Sequence, residues 1–339
     1  MAILAQQAQA QQPTPVVVPE VAVEPVAVPE PPVVTPIEPV AVETPVVAAA
    51  PRPAVPPPVR LTARNGKTLT THMAGKNLAD VNLGLLHNPK YLPKYHWIPD
   101  PPDSRDHPYA LNNTVPVINQ VDLRSYCSPV DDQGQLGSCT GNAIAGAIDL
   151  IDRRNGRGLR VSRMFIYYQE RLLENDVYYD NGAYIRDGIK ACYTYGAPLE
   201  NIWPYDASRW ATRPSSAAYS DAQQRKVTGY SRCADFAAVK NALTAGNPVV
   251  VGFNVYSSFE SNSVAATGIM PYPNTQRETL LGGHAVCLVG FNDAHGWFIA
   301  RNSWGPNWGD HGYFYMPYQM IQNTAMSSDF WVINSVHNP

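Results

Sequence analysis

Proline decides first where this chain can fold. Fifteen of its 32 prolines lie in residues 1–60, a stretch with no glycine, no cysteine and no aromatic residue. Runs such as Pro19-Glu-Val-Ala-Val-Glu-Pro25 fix φ every few residues, remove backbone donors and offer nothing large to bury. The expectation for 1–60 is a semi-extended tail or linker, serving either as a plain spacer or as a docking segment for an assembly partner.

Composition normalises over residues 61–120, which read as an N-terminal extension. Within it, Tyr95-His-Trp-Ile-Pro-Asp-Pro-Pro-Asp-Ser-Arg-Asp-His-Pro-Tyr109 packs aromatics among prolines and has little helical potential. It is expected to be an extended strap on a surface. The folded body is 121–339, and with 45% hydrophobic residues in the chain its core is not in doubt.

The first half of that body carries helical patterns. Ser138 stands where a helix through Ala143-Ile-Ala-Gly-Ala-Ile148 would be capped, and Met164–Leu173 has apolar residues at helical spacing. The second half turns to short apolar runs bounded by Gly, Pro, Asn or Asp: 248–253, 285–291, 297–300 and 312–315. A helical lobe followed by a β-rich lobe is an α+β arrangement with a natural cleft between the two.

A net charge of -3 with only 16% charged residues gives no basic field for nucleic acid or a membrane surface. Five cysteines without a Cys-x-x-Cys spacing argue against a zinc ribbon or a fully paired secreted scaffold, so at least one thiol should be free. The start of the chain lacks a basic n-region and a sustained apolar run, and no stretch approaches membrane-spanning length. These features lead us to expect a soluble protein of the cytoplasm or of a virion.

Three distant stretches carry chemistry. In Asp132-Gln-Gly-Gln-Leu-Gly-Ser-Cys-Thr-Gly-Asn142 a polar, glycine-rich loop delivers Cys139 to the first turn of an apolar helix. Unpaired N–H groups and the macrodipole there favour the thiolate. In Leu281-Gly-Gly-His-Ala-Val-Cys-Leu-Val-Gly290, His284 stands at the mouth of an apolar strand, and Gly283 beside it allows a substrate backbone to come close. In the third stretch, from Ala300 to Tyr313, the amide oxygen of Asn302 can accept the second imidazole N–H and fix the tautomer, with Trp304 placed to shield that bond. A lone cysteine or histidine in such settings is more often a buried structural residue. Their joint occurrence is what carries weight.

Gln133, Cys139, His284 and Asn302 occur in the order and local contexts of the papain-like cysteine peptidases, and Asn302-Ser-Trp-Gly-Pro-Asn-Trp-Gly-Asp-His-Gly-Tyr313 resembles that family's asparagine block almost letter for letter. The resemblance spans roughly residues 121–335. It implies a two-lobe papain-like fold, a helical left lobe and a β-barrel-like right lobe, and a Cys139–His284–Asn302 triad needing no metal or organic cofactor. It further implies a peptide or protein substrate, Gln133 as an oxyanion donor, and substrate contacts at Gly182, Ala183, Gly283 and Trp304. Ser328 or Asp329 would lie at the base of the main specificity pocket. Leu136-Gly-Ser-Cys-Thr140 departs from the family pattern, lacking both the second cysteine and the tryptophan, which is closer to bacterial and viral members. The long helical inhibitory propeptide of cathepsins has no counterpart in 61–120, and the segment from Trp97 to Tyr109 could be a shorter strap near the cleft. Two other readings fit a retained fold: a non-hydrolytic structural or virion scaffold, and an amidase or transferase using the same Cys-His chemistry.

Overall fold

The computed structural model describes residues 61–62, 68–69 and 95–337. The expected tail, 1–60, lies outside the described residues. Strands β1 (Leu61–Thr62) and β2 (Thr68–Leu69) form a small antiparallel pair, Leu61 opposite Leu69. That pair belongs to one compact unit of the chain, and all that follows belongs to the other, Met73–Pro339.

In chain order the second unit holds β3 (Gln120–Asp122), α1 (Cys139–Arg154), α2 (Arg163–Leu173), α3 (Ile185–Thr194), α4 (Ser216–Ala222), β4 (Lys226–Arg232), α5 (Phe236–Thr244), β5 (Val249–Tyr256), α6 (Asn262–Thr267), β6 (Leu280–Asn292), β7 (Trp297–Arg301), β8 (Tyr313–Pro317), α7 (Tyr318–Gln322) and β9 (Ser327–His337). Helices α1 to α3 build the first lobe and an antiparallel sheet the second, the α+β arrangement expected. The strand order is β4-β9-β5-β6-β7-β8, with β3 also paired to β6. This sheet is the β-rich lobe, and its end strands β4 and β8 are not bonded to each other among the described residues.

Local sequence explains the main elements. Ile144, Ala147, Ile148, Leu150 and Ile151 give α1 its buried faces, while Arg153 and Arg154 in the last turn suit the negative end of the macrodipole. Ser162 caps α2 by accepting a hydrogen bond from the Phe165 amide at 3.1 Å. Ser138 does not cap α1 in this way. Its φ of -90° and ψ of 24° are not extended, and its hydroxyl lies 2.7 Å from that of Tyr205. β5, whose first five residues are all buried, sits between β6 and β9 as a central strand should. α1 packs on β6, which places the first residue of the helix beside the histidine-bearing strand. All five cysteines are free and buried. Among the described residues, no helix is long and apolar enough to cross a membrane.

Candidate active site

Cys139 opens α1 with no exposed surface, and its sulfur is faced by the backbone N–H groups of Ala285, Thr140 and His96. Ala285 follows His284 in β6, so the sulfur lies against the backbone of the strand that carries the histidine. Burial pushes the thiol up to about 12 even though the three amides pull it down. Burial of this kind favours the neutral thiol over the nucleophilic thiolate.

His284 is fully buried near the start of β6, and its Nε2 lies 2.8 Å from Oδ1 of Asn302. The same amide oxygen accepts the Ser303 N–H at 2.9 Å, which fixes the orientation of the asparagine side chain. Trp304 lies over the histidine with ring centroids 5.1 Å apart and packs in turn on Trp308 at 4.8 Å. The tryptophan ring thus covers the imidazole from one side.

Gln133 is held by the same segment. Its N–H donates to the Ser303 carbonyl at 2.8 Å, its Oε1 accepts from the Ser303 hydroxyl, and its Nε2 donates to the Leu136 carbonyl at 2.9 Å. The loop before the nucleophile and the asparagine block are further joined by the Asp132–Trp304 bridge and by Gly305 N–H to Asp131 O at 2.9 Å. Arg301 completes the joint. Buried at the end of β7, it donates to the carbonyls of Ser128 and Pro129 at 2.6 and 2.7 Å.

The remaining predicted residues meet an occupant supplied by the chain itself. Residues 95–98 enter the cleft, where the sequence suggested a strap on a surface or near the cleft. Trp97 N–H donates to Gly283 O at 2.9 Å, Ala183 N–H to His96 O at 3.2 Å, and Ile98 N–H to Ala183 O at 3.3 Å. Gly182 adopts φ +85°, and a Cβ there would stand 1.6 Å from the His96 carbonyl oxygen, so only glycine lets the strap pass. Tyr95 packs against both His284 and Trp304, with centroids 5.9 and 5.8 Å away. Of Ser328 and Asp329, it is Asp329 that lies buried at the floor, its Oδ2 accepting the Trp97 indole N–H at 3.2 Å and the Asp100 N–H at 2.8 Å.

Several contributors escaped the sequence reading. Ser303 orients both Gln133 and Asn302, yet a serine inside a motif gives no signal of its own. His96, Trp97 and Asp100 do carry one, an aromatic and acidic cluster in an otherwise featureless extension. Burial lowers the His96 imidazole against the pull of Asp180, whose carboxylate also accepts the Gly137 N–H at 3.1 Å.

The family model described as papain family cysteine protease matches residues 117–332. A relative from Acanthamoeba polyphaga mimivirus, an uncharacterized peptidase C1-like protein, is 44% identical over 220 residues, covering 61% of this chain and 70% of its own length. The cathepsin L-like proteinase of Fasciola hepatica is 29% identical over 220 residues, covering 62% of this chain and 63% of its own. Among solved structures, xylellain, a cysteine protease from Xylella fastidiosa, superposes with a TM-score of 0.66 at 41% identity, covering 73% of this chain and 96% of that one. The chain belongs to the papain family of cysteine proteases, a family of cysteine-type endopeptidases.

Proposed function

We propose that the chain hydrolyses peptide bonds with Cys139 as nucleophile, His284 as acid and base, Asn302 as the group that orients the imidazole, and Gln133 as an oxyanion donor. The observation that carries this reading is the 2.8 Å contact between His284 Nε2 and Asn302 Oδ1. It commits one ring nitrogen to the amide and leaves the other for the sulfur at the helix start.

The Cys139 thiolate attacks the peptide carbonyl carbon, and the carbonyl π pair moves onto oxygen. The Gln133 amide and the Cys139 N–H receive that charge, a donor of this kind contributing about 3 kcal/mol to the transition state. When the oxyanion collapses, the C–N bond breaks and the amine leaves with a proton from the imidazolium, giving a thioester. Water then attacks the thioester, losing a proton to His284, and the acid departs as the thiolate re-forms.

Residues 95–98 act as a latch in this reading. The His96 N–H faces the sulfur, and the strap backbone is bonded to Gly283 and Ala183, so the segment fills the place a substrate would take. The test is to compare wild type with Cys139→Ala for cleavage of an unfolded protein and for uptake of an epoxide-type thiol reagent. Loss of both in the variant is expected. Equal turnover in the two proteins would overturn the assignment.

A further inference from the structure

Trp97 occupies a slot whose shape exists because two strand residues have no side chain. A Cβ on Gly252 would stand 1.9 Å from Cε2 and 2.3 Å from Nε1 of the indole, and one on Gly283 would stand 2.7 Å from Cε3. Neither glycine has a positive φ, so the backbone does not demand them. Glycine inside a strand weakens it, and here the compensating gain is room for a flat bicyclic ring.

The far end of the slot is polar. Asp329 is 2% exposed, holds φ +58°, a conformation uncommon for a residue with a side chain, and aims Oδ2 at the indole nitrogen. Its other oxygen is paired with Arg232 Nη2 at 2.9 Å. That pairing decides what kind of side chain the floor favours. The carboxylate is already neutralised, so an incoming arginine or lysine would face the Arg232 charge, whereas a neutral N–H donor completes the acceptor without adding charge. Phenylalanine would fit the walls but leave Oδ2 with the Asp100 N–H alone, one hydrogen bond short.

The floor does not depend on the latch. Asp100–Tyr109 is fastened to the body by its own bonds: Trp331 Nε1 to Asp100 Oδ2 at 2.7 Å, Arg186 and Arg232 to Asp106 at 2.7 and 3.0 Å, Tyr109 N–H to Arg232 O at 2.8 Å, and Arg232 N–H to His107 O at 2.7 Å. Departure of 95–98 would vacate the slot and leave its base standing.

We propose that this slot selects tryptophan in the substrate, with Gly252 and Gly283 setting its shape and Asp329 receiving the indole N–H. The selected residue is the one whose side chain enters the slot, next to the residue that stands where His96 stands. The inference rests on the endopeptidase reading and adds the substrate class.

The test has two arms, both on the full chain. In Trp97→Ala the slot is vacated, and thermal melting is followed with indole and with indene, its isostere lacking the N–H. Indole should raise the melting temperature and indene should do so less, while Gly252→Val in the same background should abolish both shifts. In the second arm, peptides differing only at the selected position are compared by kcat/KM. Tryptophan should exceed phenylalanine by about 10-fold, the factor one neutral hydrogen bond supplies, and should exceed leucine and arginine, and Gly252→Val should reverse the order in favour of leucine. Cleavage with leucine or arginine preferred, and no melting shift with indole, would overturn the selectivity alone. Absence of all peptide cleavage, with Cys139 inert to the epoxide, would instead remove the endopeptidase reading and the selectivity with it.

Discussion

The Trp97 indole N–H reaches Asp329 Oδ2 at 3.2 Å, tying the strap to the closing strand across 232 positions of sequence. The bond anchors a segment whose backbone already pairs with Ala183 on one side and Gly283 on the other. Truncating the indole should therefore loosen the whole latch. Removal of a buried tryptophan side chain costs about 3–5 kcal/mol, and part of that is lost from strap closure. In Trp97→Ala the epoxide reagent should modify Cys139 at least about 10-fold faster than in wild type. Peptide mapping by mass spectrometry gives the rate at that cysteine alone.

Asn302 is expected to matter through the imidazole it orients. Replacing it by alanine removes a hydrogen bond to a group that is charged in the reaction, an interaction of about 1.5–3 kcal/mol. The kcat/KM should fall by about 10- to 100-fold, and the acid limb of its pH profile should move, since the imidazolium loses a partner. Asn302→Gln should recover part of the loss if its longer amide can still reach Nε2. A fall of the same size with an unmoved pH profile would point to a merely structural role.

Stability should depend on pH through Asp100. Burial and the nearby Asp329 carboxylate push it up to about 7, against the pull of Trp331 and Arg186. Asp329 is itself raised by burial, opposed by Asp100 N–H, Arg232, Trp97 and Arg186, and Asp106 faces the same arginines. A carboxyl raised in the folded state binds a proton on folding, so its contribution is complete below the ordinary value of 3.8 and is lost as pH rises through about 7. Asp100→Asn imitates the protonated form and should escape that loss. The melting temperature of the variant relative to wild type should rise by about 3–6 °C between pH 4 and pH 8, measured by calorimetry. His96 acts in the opposite sense, since burial lowers it and its contribution fades as pH falls below 6.5. Because it is present in both proteins, the difference between them isolates Asp100.

Arg301 joins the loop before the nucleophile to the strand before the asparagine, with donors to Ser128 and Pro129 carbonyls in a buried setting. Arg301→Met should leave those carbonyls unpaired and lower stability by about 3 kcal/mol, or about 6–12 °C in melting temperature. Circular dichroism on heating checks it.

The sequence singles out the residues of the proposed triad because each sits in a distinctive local setting: a glycine-rich loop before Cys139, two glycines before His284 and the tryptophan-rich block after Asn302. Helices and strands were legible from periodicity, although β6 extends well beyond the apolar run that announced it, because its glycine-containing start, Leu280–His284, also pairs with β5. A strap near the cleft was expected over Trp97–Tyr109, but its entry at residues 95–98 was not legible. Its pairing with Ala183 and Gly283 joins segments far apart in the chain, and backbone hydrogen bonds leave no side-chain pattern. Ser138 looked like a cap, but Asn142 binds its carbonyl and hydroxyl, which leaves the side chain serving the loop. The choice between Ser328 and Asp329 escaped simple strand alternation because β9 bulges there. Ser328 pairs with Gly252 and Trp331 with Val250, so Asp329 and Phe330 together oppose one residue, Val251.

The central claim is that Cys139 is a nucleophile kept silent by residues 95–98. Its most direct measurement is the mass-mapped site of epoxide modification, with peptide turnover followed in parallel, before and after limited proteolysis that cuts the chain near residue 98. Modification confined to Cys139, rising together with turnover once the strap is cut, is the predicted result. Turnover that persists with Cys139 unmodified, or in Cys139→Ala, would contradict it.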